Sequence, residues 1–221
     1  MSNRYGPRIV TDGLVLCLDA ADRNSYAGSG TDWKDQSGLG NDGVLTNGPT
    51  FTNTNAGLIT FDGSNDHVDL GYKSSLLPTE ITQEAWVYSY AHSSWAGIIT
   101  NMPSWGTGFS LQIGNNQRIA AMISGDYLIS TFTPSTYTWY HVLATHDASN
   151  FNALYVNGQF QRSVTRAISY TTNAVTKIGM FYTWGSLYFN GQISQVRTYN
   201  RALSANEVQQ NYNATKGRFG L

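Results

Sequence analysis

The sequence predicts an all-β sandwich of two antiparallel sheets with one short C-terminal helix, on the strength of three observations. From Ile81 onward, short apolar runs follow one another with turn residues between them: ITQEAWVYSY, AGIITNM, FSLQIG, RIAAMIS, YLISTF, WYHVLATHD, ALYVNGQFQRSV, VTKIGMF and LYFNGQISQVRTY. Charged residues are only 12% of the chain, against roughly 25% in an ordinary soluble protein, while Gly, Ser, Thr, Asn and aromatics are abundant. A helix start is written only once, near the end. At 221 residues the chain suits a single sandwich domain, since all-β units commonly reach this size. The predicted division is an N-terminal arm over 1–13, one domain over 14–213 and a tail over 214–221.

Taken in order, Leu14 to Leu18 is the first strand, and Cys17, the only cysteine, lies inside its apolar run LVLCLDA. A buried thiol is expected there, and no intrachain disulfide exists. The Gly-rich stretch from Asp19 to Leu45 reads as loop. Its Asp35, Ser37, Gly40 and Asp42 do not make an EF-hand, because position twelve would be Thr46 where a Glu is required. A short edge strand broken by NGP follows. In LITFDGSNDHVDLG, two alternating runs flank the turn-forming DGSND, which predicts a β-hairpin over Leu58–Gly71.

Later, Asn157-Gly158 and Asn190-Gly191 each sit between apolar runs and predict type I′ hairpins. Ile193 and Val196 are three apart, so both can be buried only across a β-bulge near Ser194 and Gln195. Ser204 as N-cap with Glu207 three on is a capping box, and Leu203 and Val208 are spaced for the accompanying hydrophobic staple. The last residues, ATKGRFGL, read as a basic tail.

The formal net charge of −1 gives no field to attract nucleic acid or an anionic membrane. No run of 18 apolar residues occurs, and MSNRYGPRIVTDG lacks an apolar h-region. A protein made in the cytosol without Sec export is expected.

The segments FDGSNDHVDL, ITQEAWVYS, WYHVLATHDASNFNALYVNGQ and FNGQISQVRTYNRALSANEV together resemble the concanavalin A-like, laminin G-like jelly-roll family over nearly the whole chain. The resemblance implies two curved antiparallel sheets. GLVLCLDAADRNSY and RALSANEVQQNYNATKGRFG are similar to modules in structural proteins of large tailed bacteriophages. That likeness implies a virion protein assembled in the host cytoplasm, in repeated copies beside other virion proteins. Family members include glucanases, lectins, adhesion modules and fibre parts, so the site must decide function.

A retaining glucanase needs two carboxylates about 5 Å apart, which relatives supply as Glu-x-Asp-x-Glu. That run is missing, and Glu80 and Glu84 alone do not replace it. His141 and His146 are five residues apart in a predicted strand, so their rings point to opposite faces; His141 is expected beside Trp139 on an outer face. No Gly-x-Ser-x-Gly elbow occurs. Trp95, Trp105 and Trp184 lie in Gly/Ser/Thr-rich connections and are the candidates for stacking a glycan, whereas Trp86 and Trp139 sit in strands and read as core.

Asp62, Asn65 and Asp66 are candidate calcium ligands, although Asp and Asn are also ordinary turn formers. No cofactor is otherwise required. Arg4, Arg8, Lys216 and Arg218 are candidate assembly contacts on the terminal arms. The expected function is a non-enzymatic virion surface subunit, in a capsid decoration or a fibre, that adheres to glycans. A free carbohydrate-binding module and a divergent glycoside hydrolase are the alternatives.

Overall fold

The computed structural model describes residues 8–92, 95–103, 106–114, 116–181 and 187–221. Along them run β1 (Leu14–Asp19), β2 (Asp32–Trp33), β3 (Gly43–Thr46), β4 (Thr50–Thr52), β5 (Leu58–Asp62) and β6 (His67–Tyr72). Next come β7 (Ile81–Ser89), β8 (Gly97–Thr100), β9 (Phe109–Ile113), β10 (Ile119–Ile123), β11 (Asp126–Ile129) and β12 (Trp139–His146). The chain ends with β13 (Phe151–Val156), β14 (Gln159–Thr165), β15 (Val175–Ile178), β16 (Met180–Phe181), β17 (Leu187–Tyr188), β18 (Asn190–Tyr199) and the helix α1 (Ala205–Thr215). Among the described residues no helix is long and apolar enough to cross a membrane.

The first sheet is ordered β14-β13-β12-β7-β18-β5-β4, with β1 also on β18, and the second β11-β10-β9-β8-β15-β6-β3-β2; the pairings within both are antiparallel. Alternation along β7 shows how they close on each other. Ile81, Ala85 and Val87 enter the main core, with Phe109, Leu111, Ile119 and Ala121 of the second sheet. Thr82, Glu84, Trp86 and Tyr88 point the other way. The ten-residue β18 serves two partners on one edge: Asn190 to Ile193 pair with β5, Gln195 to Asp19 begins the pairing with β1, and the register shifts between Ile193 and Gln195. That shift is the predicted bulge, and it lets Ile193 and Val196 both reach the core.

The helix starts as its sequence dictates. Ser204 accepts from the Glu207 amide and Glu207 accepts from the Ser204 amide, a complete capping box. Leu203 and Val208 are buried together with Leu143 and Tyr199 on the outer face of the first sheet. Ser204→Ala is expected to cost about 1 kcal/mol in urea unfolding, and a change within error would mean the cap contributes nothing.

Four local expectations are corrected. Leu58–Gly71 is not a hairpin: β5 belongs to the first sheet and β6 to the second, so DGSND carries the chain across the sandwich. Asn190-Gly191 opens β18, paired with Asp62 and Phe61, and is not a hairpin turn. By contrast, Asn157 and Gly158 both have positive φ, and Val156 faces Gln159, as a type I′ hairpin requires. The stretch from Asp19 to Leu45 contains β2 and the start of β3, with Trp33 fully buried. Its bends are held by the Asp35 carboxylate, which accepts from the amides of Cys17, Ser37 and Asn41.

The fourth correction concerns the ends. The tail over 214–221 is part of the domain: α1 runs to Thr215, a 3₁₀ turn continues through Lys216–Phe219, and Phe219 is buried. Arg218 is no outward assembly contact, since it pairs with Asp19 (2.7 Å) and donates to the carbonyls of Asn55 and Gly57. Lys216 lies over the Tyr212 ring. At the other end, Val10 is buried and its amide donates to Asn211, so docking begins within the predicted arm. Arg8 is exposed and its carbonyl accepts from Gln210, while Arg4 lies outside the described residues.

Candidate functional site

At the tip between β5 and β6 the candidate calcium ligands build the turn itself. Asp62 Oδ1 accepts from the amides of Ser64 (2.8 Å) and Asn65 (3.3 Å), and Asp66 Oδ2 accepts from the amide of Asp62 (3.1 Å). The Ser64 amide is the main reason the Asp62 carboxyl is held below its usual range, whereas burial raises that of Asp66. Asn65 contributes its carbonyl, which accepts from Asn47. Among the described residues no group of three His, Cys, Asp or Glu is arranged to hold a metal.

Of the three candidate tryptophans, Trp105 and Trp184 lie outside the described residues. Trp95 is half-buried with its backbone at positive φ, and its ring centroid is 4.8 Å from that of Tyr127. Tyr127 in turn packs on the Met102, Met122 and Phe181 cluster. Burial pushes its hydroxyl up to about 12.

A part-exposed cluster of tyrosines lies elsewhere, on the outer face of the first sheet. Trp86, Tyr88 and Tyr90 alternate in WVYSY and so project to one side. Tyr88 stands opposite Trp139 on one neighbour and Gln192 on the other. Tyr90 and Tyr137 stack at 5.7 Å, and both meet Tyr88 edge-on, at 5.9 and 6.2 Å. Gln192 Nε2 donates to the Tyr90 hydroxyl (2.6 Å). Tyr137 is 63% exposed and held at φ +55 by the turn before β12, its amide donating to the Ser89 carbonyl. A bulky residue at positive φ is uncommon, and here it sets a large ring into solvent beside two others. Loop tryptophans drew the sequence reading away from these tyrosines, although the period-two spacing of Trp86, Tyr88 and Tyr90 marks the face.

Only one end of this aromatic strip is open. Toward α1 it continues through Trp139 to Phe219, which stacks on Trp86 at 4.1 Å, and Trp86 Nε1 donates to Thr215 Oγ1. Trp86 and Trp139 are therefore buried, but beneath the tail and not between the sheets.

A family model described as the concanavalin A-like lectin/glucanases superfamily matches residues 62–209. The chain belongs to this superfamily. No curated protein matches it in sequence. Among solved structures it is similar to domain 4 of AbnA, a GH43 extracellular arabinanase from Geobacillus stearothermophilus in complex with arabinotriose, with a TM-score of 0.69 at 16% identity over 90% of this chain and 98% of that one. It is similar to Trypanosoma rangeli sialidase, with a TM-score of 0.69 and 17% identity, covering 93% of this chain but 34% of the sialidase. The binding domain of Paraclostridial Mosquitocidal Protein 1 gives 0.68 and 17%, with 92% of this chain and 52% of that one covered. The chain thus spans about a third of the sialidase and about half of the toxin domain.

In this lectin/glucanase fold the carboxylates decide what chemistry is open, and Glu84 is closed. It is 1% exposed under α1, with Oε1 2.6 Å from Arg197 Nη1 and Oε2 accepting from His141 Nε2 (3.2 Å) and Asn211 Nδ2 (3.0 Å). Burial opposes its ionisation, but Arg197 and His141 outweigh it and hold the carboxyl well below the usual range. His141 is on the outer face as expected, two residues from Trp139 along β12, yet it is buried, its ring tilted against Trp86 at 5.2 Å. A carboxylate sealed in this way cannot reach a sugar.

Proposed function

We propose that the chain is a non-catalytic carbohydrate-binding domain of a virion surface subunit, with the Tyr88–Tyr90–Tyr137 surface as its glycan platform. The observation that carries the binding half is that tyrosine cluster, with Tyr137 exposed and Tyr88 and Tyr90 half-buried beside it. Stacked rings offer an apolar surface to the C–H faces of a pyranose, and the hydroxyls with Gln192 supply directed hydrogen bonds around it. No charged side chain belongs to the cluster, which suits a neutral glycan. The superfamily and the arabinotriose-bound neighbour support the same reading. The virion setting rests on the likeness of the two chain ends to phage structural modules.

Tyr137→Ala is expected to weaken binding of the best ligand from a glycan array about tenfold, which is ~1.4 kcal/mol. Trp95→Ala serves as the comparison on the other sheet. If Tyr137→Ala leaves affinity unchanged while Trp95→Ala removes it, the platform is misplaced. Immunogold labelling of particles tests the setting, and absence from purified virions would favour a free binding module.

A further inference from the structure

A second site opens at one end of the sandwich, where His146 closes β12. A cavity of about 330 Å³ is lined there by Thr79, Glu80, His146, Asp147, Ala148, Asn150, Ile168 and Tyr170. Its size is at the lower end of ligand pockets and suits one sugar ring. The cavity lies on none of the residues of the tyrosine platform.

The lining is built around a fixed histidine. Asn152 Nδ2 donates to the carbonyls of Asn150 (2.8 Å), Val164 (3.2 Å) and Arg166 (2.8 Å), so its Oδ1 must face His146. His146 Nδ1 donates to that oxygen at 2.8 Å. The ring is 2% exposed and lines the cavity, and among the described residues its other nitrogen, Nε2, has no hydrogen-bond partner.

The carboxylates beside it are acceptors too. Asp147 Oδ1 holds the turn, taking the amide and hydroxyl of Ser149 and the amide of Phe151, and the Ser149 hydroxyl foremost keeps the carboxyl ionised. Its Oδ2 is left over. Glu80 is half-exposed and makes no hydrogen bond or ion pair among the described residues. No Lys or Arg lines the cavity, and Arg166 is drawn off to Asp126 and Ser124. Ile168 and Tyr170 complete an apolar wall. Burial pushes the Tyr170 hydroxyl up, with the Asn101 side chain pulling the other way.

We propose that this pocket binds an amino sugar with its amine free and protonated. An ammonium brings the donors and the positive charge that Glu80, Asp147 and His146 Nε2 lack. A ring of monosaccharide size fills the remaining space against Tyr170, with Asn150 and Thr79 beside its hydroxyls. The sugar half of the proposal rests on the carbohydrate-binding reading; the ammonium half rests on this pocket's own chemistry.

The test is an NMR titration of the full chain, following the His146 imidazole, with glucosamine, N-acetylglucosamine, glucose and n-propylamine in separate arms. Glucosamine is expected to shift His146 and to bind at least tenfold more tightly than the other three. Glu80→Gln, at a half-exposed position that should not disturb folding, is expected to reduce that affinity about tenfold, and Tyr137→Ala to leave it unchanged. Equal binding of N-acetylglucosamine or glucose would overturn the ammonium assignment, and propylamine matching glucosamine would overturn the sugar assignment. A silent His146, or an affinity indifferent to Glu80→Gln, would remove the site altogether. Failure of the platform shows separately, as neutral glycans that do not respond to Tyr137→Ala.

Discussion

Glu84→Ala is expected to destabilise the domain by about 3–5 kcal/mol, because it leaves a guanidinium buried without its counter-charge. Arg197 is 3% exposed, its Nη1 is held by Glu84, and its Nη2 donates to Gln195 Oε1. Asn211 and His141 would each lose an acceptor at the same time. Replacing both charges, as Glu84→Leu with Arg197→Met, is expected to recover most of the loss, since paired burial offsets a desolvation cost that an apolar pair never meets. The same group makes stability fall in acid. A carboxyl depressed on folding contributes stability that is present above its unfolded value and lost as pH falls toward the folded one. Glu84 and Glu207 are both lowered from 4.5 to about 2, against burial by Arg197 and His141 in the first case and chiefly by the Arg201 hydrogen bond in the second. Urea unfolding at pH 7, 5 and 3 should therefore show the decline beginning below pH 5. A Glu84→Ala protein as stable as the parent, or a parent flat across that range, would show that the network contributes nothing net.

What the sequence did and did not disclose follows from which interactions are local. The Asn157-Gly158 hairpin and the Ser204–Glu207 cap were legible because each is completed within four residues. Leu58–Gly71 was misread because its strand–turn–strand pattern says nothing of which sheet each strand joins, and in a sandwich a turn can change sheets. Alternation is also silent on what covers the outer face. Thr82 and Glu84 alternate with core residues just as solvated positions do, yet α1 lies over them, and only the fold shows that. The same covering makes a buried network of Glu84, Arg197, His141 and Asn211, four residues drawn from separate stretches of the chain. Tyr137 joins Tyr88 and Tyr90 across strands, so the platform was invisible to any single window. The end pocket likewise draws Glu80, His146 and Tyr170 from three separate stretches.

Deleting residues 214–221 is expected to destabilise the domain severely, not to trim an idle arm. Phe219 is 8% exposed, stacks on Trp86 (4.1 Å) and packs tilted against Trp139 (4.6 Å). Truncating a buried Phe costs about 3–5 kcal/mol, so Phe219→Ala alone should consume a large share of a typical domain's stability. Arg218 adds a second anchor, since its loss frees Asp19, the carbonyls of Asn55 and Gly57 and the Ser194 hydroxyl together. Thr215 also leaves, and with it the acceptor of the Trp86 indole N–H. The two tryptophans should then meet water, which tryptophan fluorescence reads as a shift to longer wavelength in the native baseline, alongside a lowered urea midpoint. Phe219→Leu, which keeps an apolar group over Trp86, should fall between the parent and the deletion. If the truncated chain unfolds at the parent's midpoint with unshifted emission, the tail does not hold the outer face, and the aromatic strip would be open along its whole length.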